Sequence, residues 1–198
     1  MELPPLGPEM NHTMNLKDSN VLVKTRPSKC KQKFLNQLCT KLRQEEASGR
    51  VHKSSDTCAC AMFIIPQINK PNQARFLDDL LARNSNIIME PPNISDQSSI
   101  INSIVRYPSE SKIDVSNGYY NSRIHPTHEK HTAFVTSYAT YRTRVMQQGE
   151  CNTTATIHKI MNNLFKDELG IFIYVHIDDI FICSETCKAH LAHARIVR

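Results

Sequence analysis

The segment from residue 171 to 183, Ile-Phe-Ile-Tyr-Val-His-Ile-Asp-Asp-Ile-Phe-Ile-Cys, constrains this 198-residue chain more than any other. Two runs of β-branched and aromatic residues flank an acidic pair, and such residues favour the pleated strand. The pattern predicts a hairpin with Asp178 and Asp179 at its tip. The same run carries His176 between its apolar residues, and a membrane span needs about 20 predominantly apolar residues. Burying two adjacent carboxylates without a partner is costly, so the pair needs a cation, a basic partner or water. Spacing alone leaves two readings open. Asp-Asp is either a solvated turn or part of a metal-binding set completed by a third carboxylate from elsewhere.

Asp114, central to the short strand Lys112-Ile113-Asp114-Val115, is the candidate third member. Three convergent carboxylates can hold two Mg²⁺ ions, which take oxygen ligands. Two such ions would stabilise the attacking and leaving oxygens of a nucleotide addition.

The remaining pattern alternates helices and hairpins, giving an α+β class. Residues 1–28, rich in Pro, Asn and Lys, read as an extended arm. From Lys29 to about Glu46, Phe34, Leu35, Leu38 and Leu42 recur at helical spacing, with Gly49 as the stop signal. Lys29, Lys31, Lys33, Lys41 and Arg43 form the solvated face of that helix. Met62 to Ile65 reads as a strand ended by Pro66, then a turn at Asn69-Lys70-Pro71-Asn72 and a returning strand from Arg75 to Leu80. Ile94 to Arg106 has helical spacing with Ser95 as its cap. Thr132 to Thr136 and Tyr138 to Val145 read as strands, and Thr153 to Leu164 as a helix with Ile157, Ile160, Met161 and Leu164 on one face.

Seven cysteines, odd in number and scattered, predict free thiols rather than a disulfide scaffold. Cys58-x-Cys60 has no second Cys/His pair at finger spacing, so a structural zinc is not expected. His125, His128 and His131 are expected on the surface without a shared face. The N-terminus MELPPLGPEM lacks the basic start and apolar middle of a signal peptide, so the expected location is intracellular, cytoplasmic or nuclear, with no membrane association. Net charge is +5, and residues 1–60 hold 10 Lys/Arg against 6 Asp/Glu, a balance that permits nucleic-acid contact without demonstrating it.

Several segments, in order, resemble the reverse transcriptases of gypsy-type LTR retrotransposons, and in detail copies common in mushroom-forming fungi. Residues 112–125, KIDVSNGYYNSRIH, resemble the family's Asp-Leu-Ser-x-x-Tyr palm strand. Residues 131–152, HTAFVTSYATYRTRVMQQGECN, resemble its Thr-Ala-Phe to Val-Met-x-x-Gly segment. Residues 171–184 resemble the Tyr-x-Asp-Asp hairpin, and NHTMNL (11–16), FIIP (63–66) and ARFLDDLLARN (74–84) fit the arm and fingers. The resemblance implies a right-hand polymerase fold, with an arm and amphipathic helix over 1–60, fingers over 61–111, and a palm over 112–198 built on an antiparallel sheet with packed helices. It implies RNA-directed DNA synthesis on an RNA or DNA primer–template, with deoxynucleoside triphosphates as substrates and two Mg²⁺ ions held by Asp114, Asp178 and Asp179. Arg75 would reach the triphosphate, a role suited to a permanently charged fork of donors. Tyr119 would pack beneath the sugar and exclude a 2′-hydroxyl. Asn117 and Gly118 would offer backbone N–H groups to phosphate, and Gln148 would line the nucleotide pocket.

This chain departs from the family pattern at several positions. His176 stands for the Tyr of Tyr-x-Asp-Asp, Thr153-Thr154 for an Ala-Pro, and Ile157 for a Phe. Leu81 replaces an Arg, Ala139 a Gly, and Gln67 the Lys usual after Ile-Pro. The sequence given stops at Arg198, where the family's thumb would begin, which sets up the expectation of a truncated, impaired copy. The rival expectation is a non-catalytic remnant that keeps the fold and binds nucleic acid or a protein partner.

Overall fold

The computed structural model describes residues 3–7, 10–26, 29–91, 96–115 and 118–197. The chain forms two compact units, each discontinuous in sequence: Met1–Met89 with Tyr119–Thr153, and Glu90–Gly118 with Thr154–Arg198.

The first unit begins with the arm, whose extended reading holds locally: isolated bridges tie His12 to Ile124, Leu16 to Ile87 and Lys24 to Ala59, and Met14 is buried. Helix α1 (Gln32–Ala47) follows, burying Phe34, Leu38 and Leu42 along one stripe. It ends at Ser48, and Gly49 turns the chain with φ +72°, a conformation glycine reaches without steric cost. Strands β1 (Val51–Ser54), β2 (Cys60–Gln67) and β3 (Lys70–Asp78) come next, then the short helix α2 (Leu81–Ser85). The returning strand therefore stops at Asp78, and Leu81 opens a helix that periodicity did not show.

Strand β2 does not end at Pro66. It runs on to Gln67, and the turn shrinks to Ile68 and Asn69. Pro66 sits opposite Ala74, whose N–H points off the sheet edge to Gln37 Oε1 (3.1 Å). That makes the pair non-hydrogen-bonded, so the missing N–H of proline removes no bond to β3. On its other side β2 pairs with β5 (Phe134–Val135) only through Cys60 and Ala61. Together with β6 (Thr140–Thr143), the strands form a five-stranded sheet in the order β1-β6-β5-β2-β3, with β2 and β5 parallel. Both β5 and β6 are shorter than their sequence patterns suggested. Leu38, Leu42, Val51, Met62, Phe134 and Tyr141 form the core between helix and sheet.

The second unit is a three-stranded antiparallel sheet, β4-β8-β7, built from β4 (Ser109–Asp114), β7 (Ile173–His176) and β8 (Asp179–Ser184). Helices α3 (Gln97–Ile104), α4 (Thr153–Leu164) and α5 (Cys187–Ile196) accompany it. Asp96, not Ser95, caps α3, accepting from the Ser99 N–H at 3.2 Å; Ser95 lies outside the described residues. Ile100, Ile104 and Cys183 form a core cluster joined by Tyr107, Tyr174 and Phe181. Ser184, almost fully buried, binds the Nδ1 atoms of both His190 (3.0 Å) and His193 (2.8 Å), so these two histidines dock α5 on the sheet. The α+β class with an antiparallel sheet agrees with the sequence pattern.

Candidate active site

The alternation of the 171–183 run becomes a two-residue hairpin. Ile173 and Val175 of β7, with Ile180 and Ile182 of β8, point into the core, which fixes the register. Only Ile177 and Asp178 are left for the turn. Ile177 has φ +58°, a rare and costly conformation for a β-branched residue, of a kind that persists where surrounding structure holds it. His176 and Asp179 close the turn as a cross-strand pair.

On the other side of β8, Asp114 is the in-register partner of Asp179, and the Val115 N–H donates to the Asp178 carbonyl at 3.2 Å. The structure thus brings Asp114 and Asp179 face to face and holds Asp178 in the adjoining turn. Like charges directly opposite on a sheet repel. Here Lys112 answers part of that repulsion, with Nζ 2.7 Å from Asp179 Oδ2. The hydrogen bond to Asp179 raises the Lys112 pKa, and the charges of Asp114 and Asp178 add to the effect. One lysine serves three carboxylates. Among the described residues, no three of the acidic, histidine or cysteine side chains converge tightly enough to form a metal-ligand group. His176 is half-buried, and its Nδ1 has no hydrogen-bond partner among the described residues.

Within the first unit, Arg75 and Gln148 line one cleft of about 450 Å³ together with Lys41, Ala74, Phe76, Leu77 and Tyr120. Tyr120, not Tyr119, faces this cleft; Tyr119 lies beside it in a 3₁₀ turn, Gly118–Asn121. The Gly118 N–H is already given to the Val115 carbonyl at 3.1 Å, and Asn117 lies outside the described residues. Lys41 and Tyr120 were missed by sequence reasoning: a lysine on a polar helix face carries no mark of a cleft.

The loop that presents Gln148 is held by a buried network that periodicity did not reveal. Gln147 Nε2 donates to Asp78 Oδ2 (2.6 Å), Arg83 Nη2 donates to Gln147 Oε1, and Arg83 pairs with Glu150 at 3.0 Å. Arg83 also donates to the His131 carbonyl, and Asn84 donates to the Gly149 carbonyl at 2.8 Å. Gly149 then turns the chain at φ +88°. Burial drives the Asp78 pKa up to about 6, with Arg83 and the Gln147 hydrogen bond opposing.

The histidine expectation is corrected. His125 precedes, and His128 and His131 belong to, a 3₁₀ helix (Pro126–His131). Residues three apart eclipse there, so the rings form one row with centroids 5.6 and 6.1 Å apart. All three are half-buried, and His128 Nδ1 accepts from the Met14 N–H, giving the row a role in anchoring the arm.

Comparison with known proteins places the sequence and the fold in a family. The sequence family described as reverse transcriptase (RNA-dependent DNA polymerase) matches residues 17–198. An RNA-directed DNA polymerase homolog from Oenothera berteroana is 36% identical over 91 residues, covering 44% of this chain and 64% of that protein. The retrovirus-related Pol polyprotein from transposon opus of Drosophila melanogaster is 24% identical over 152 residues, 75% of this chain and 15% of its own length. The chain therefore spans less than two thirds of these relatives. The foamy viral protease-reverse transcriptase in complex with double-stranded DNA superposes with a TM-score of 0.79 at 22% identity, over 94% of this chain and 38% of that one. The same viral protein in complex with an RNA/DNA hybrid gives 0.78 at 20% identity, over 98% and 27%. Likeness at that identity speaks for the fold, and the sequence match over nearly the whole chain speaks for descent: the chain belongs to the reverse transcriptase (RNA-dependent DNA polymerase) family.

Proposed function

We propose that this chain is the fingers-and-palm part of an RNA-directed DNA polymerase from a gypsy-type LTR retrotransposon. The observation that carries the reading is the in-register pairing of Asp114 with Asp179, with Asp178 in the adjoining turn. The donor set suits a hard divalent cation such as Mg²⁺: all ligands are carboxylate oxygens, and the site already draws the Lys112 ammonium. Asp114, Asp178 and Asp179 would hold two such ions, which when bound supply charge stabilisation to the attacking and leaving oxygens.

The chain's own residues do the rest. Arg75 binds the triphosphate from the cleft edge, Gln148 lines the nucleotide pocket, and Tyr119 packs beneath the sugar. Asn117 and Gly118 complete the nucleotide contacts, the latter after release of its bond to Val115. The partners are a primer–template duplex, supported by the nucleic-acid complexes of the foamy viral relatives, and deoxynucleoside triphosphates. The place of action is intracellular.

Primer extension on an RNA template with Mg²⁺ tests this reading. The chain is expected to extend the primer, and Asp178→Asn to lower the rate by roughly a hundredfold or more, since several kcal/mol of charge stabilisation go with the ligand. If neither the chain nor a His176→Tyr, Thr154→Pro version extends, the non-catalytic remnant becomes the better account.

A further inference from the structure

The cleft beside Arg75 is assembled from four separate stretches of chain: α1, β3, the 3₁₀ turn and the loop before Gly149. Strand β3 is the outer strand of its sheet, so among the described residues no strand pairs with its far edge, which Gln37 of α1 meets at Asn72 and Ala74. The Ala74 N–H points off that edge. By the two-residue period of a strand the Phe76 N–H does too, adding a backbone donor to the cleft wall.

Two cations line this space. Arg75 is exposed and Lys41 half-buried, and neither forms an ion pair among the described residues. Arg83, Arg123, Arg142 and Arg144 of the same unit are each committed to a carboxylate. Lys41 is not a freely waving surface lysine. Its Nζ lies 5.7 Å from the centroid of the Phe76 ring, within cation–π range, which holds the ammonium against the strand. Tyr120 adds a phenol whose pKa is pushed up to about 12 by burial, so it stays neutral and able to donate. Gln148 adds an amide with both donor and acceptor capacity. Asp78 lies within electrostatic reach of Lys41, but it is held by Gln147 and also faces Arg83. Two cations, neither in an ion pair among the described residues, with neutral donors around them form a receptor for an anion carrying more than one phosphate.

We propose that Lys41 is a second phosphate-binding cation of this cleft, acting with Arg75 on the triphosphate of the incoming nucleotide. This rests on the reading of the chain as a polymerase, and it adds a residue from α1 to a site otherwise built from β3 and the 148 loop. Lys41 gives a compact charge on a flexible stem, Arg75 a planar fork. The two therefore suit different oxygens of one chain of phosphates.

Equilibrium binding of a fluorescent deoxynucleoside triphosphate to the full chain in Mg²⁺ tests the assignment, with competition by the mono- and triphosphate and by inorganic tripolyphosphate. Lys41→Ala is expected to weaken triphosphate and tripolyphosphate binding about tenfold, the scale of one charge-assisted hydrogen bond, and monophosphate binding far less. Lys41→Arg should recover most of the loss. A helix-surface alanine keeps the fold, which a circular-dichroism melt checks. Arg75→Ala is the companion variant. If it loses triphosphate binding while Lys41→Ala does not, the cleft stands and the Lys41 assignment falls. Should neither variant change binding, the assignment falls together with the nucleotide reading of the cleft. If Lys41→Ala weakens a single-stranded oligonucleotide as much as the triphosphate, the cleft follows backbone phosphates and the proposal is overturned.

Discussion

Asp114, Asp178 and Asp179 stand around one hairpin with, among the described residues, a single exposed lysine against them. Asp78 and Glu150 sit under a loop of the other unit with Arg83 and Gln147 locked between them. Both are clusters of acidic side chains, and they are solved oppositely. In the hairpin, three carboxylates meet one ammonium, and the surplus negative charge faces outward. Under the loop, Arg83 offsets Glu150, and Asp78 relieves its own charge by binding a proton more readily, at a pKa of about 6. The difference separates charge that needs something from outside the chain from charge that the fold neutralises by itself. Four variants break or sharpen that comparison.

The largest effect is expected at Arg83. Its side chain is buried, and removing one partner of a buried pair leaves the other charged and uncompensated, which costs about 3–5 kcal/mol. Arg83→Met should lower the urea unfolding midpoint accordingly, and Arg83→Met with Glu150→Leu should recover much of the loss, because apolar replacement of a whole pair is often neutral. A change below about 1 kcal/mol in the single variant would show that the Arg83–Glu150 contact is incidental.

Asp78→Asn gives the next effect, and it depends on pH. A carboxylate whose folded pKa lies above its unfolded value of 3.8 contributes stability that is fully present below 3.8 and is lost as pH rises through about 6. Compared with the Asn variant, the parent chain is therefore at its best near pH 4, loses ground between pH 4 and 6, and changes no further above that. A shift of this size corresponds to at most about 3 kcal/mol. Unfolding midpoints of both proteins from pH 4 to 8 check it; parallel curves would show that Asp78 titrates normally.

What sequence could read divides along the same line. The hairpin was legible because the alternation of Ile173, Val175, Ile180 and Ile182 forces a register, and only one place is left for the acidic pair. Helix α4 was legible, to its bounds, because Ile157, Ile160, Met161 and Leu164 repeat at a single period. The buried network was not, since Arg83 meets His131, Gln147 and Glu150 across dozens of residues, and Ala-Arg-Asn-Ser reads as loop chemistry. The histidine row failed for another reason: a spacing of three scatters side chains on a strand and aligns them on a 3₁₀ helix, and only the fold decides between these. At the carboxylates, sequence named the residues but left the turn reading open. The in-register pairing of Asp114 with Asp179 is what gives the metal reading its geometric support.

The smallest effect on stability, and the most telling one, is expected at Lys112. Its ion pair with Asp179 is more than half exposed on the lysine side, and exposed pairs are weak, so Lys112→Ala should leave the unfolding midpoint essentially unchanged. The carboxylates respond differently. With the ammonium gone, nothing among the described residues competes for the Asp179 Oδ2 lone pairs, and the negative field at the hairpin tip deepens. Divalent cations should then bind more tightly, by about three- to tenfold at low salt, with the gain shrinking as salt screens the site. Titration with Mn²⁺ followed by electron paramagnetic resonance reads this without any polymerase activity. Under the loop, the matching removal of a cation from a carboxylate would destabilise the protein; at the hairpin it would improve a binding site. If Lys112→Ala instead destabilises the chain and leaves Mn²⁺ affinity unchanged, the hairpin charge is structural too, and the contrast between the two clusters disappears.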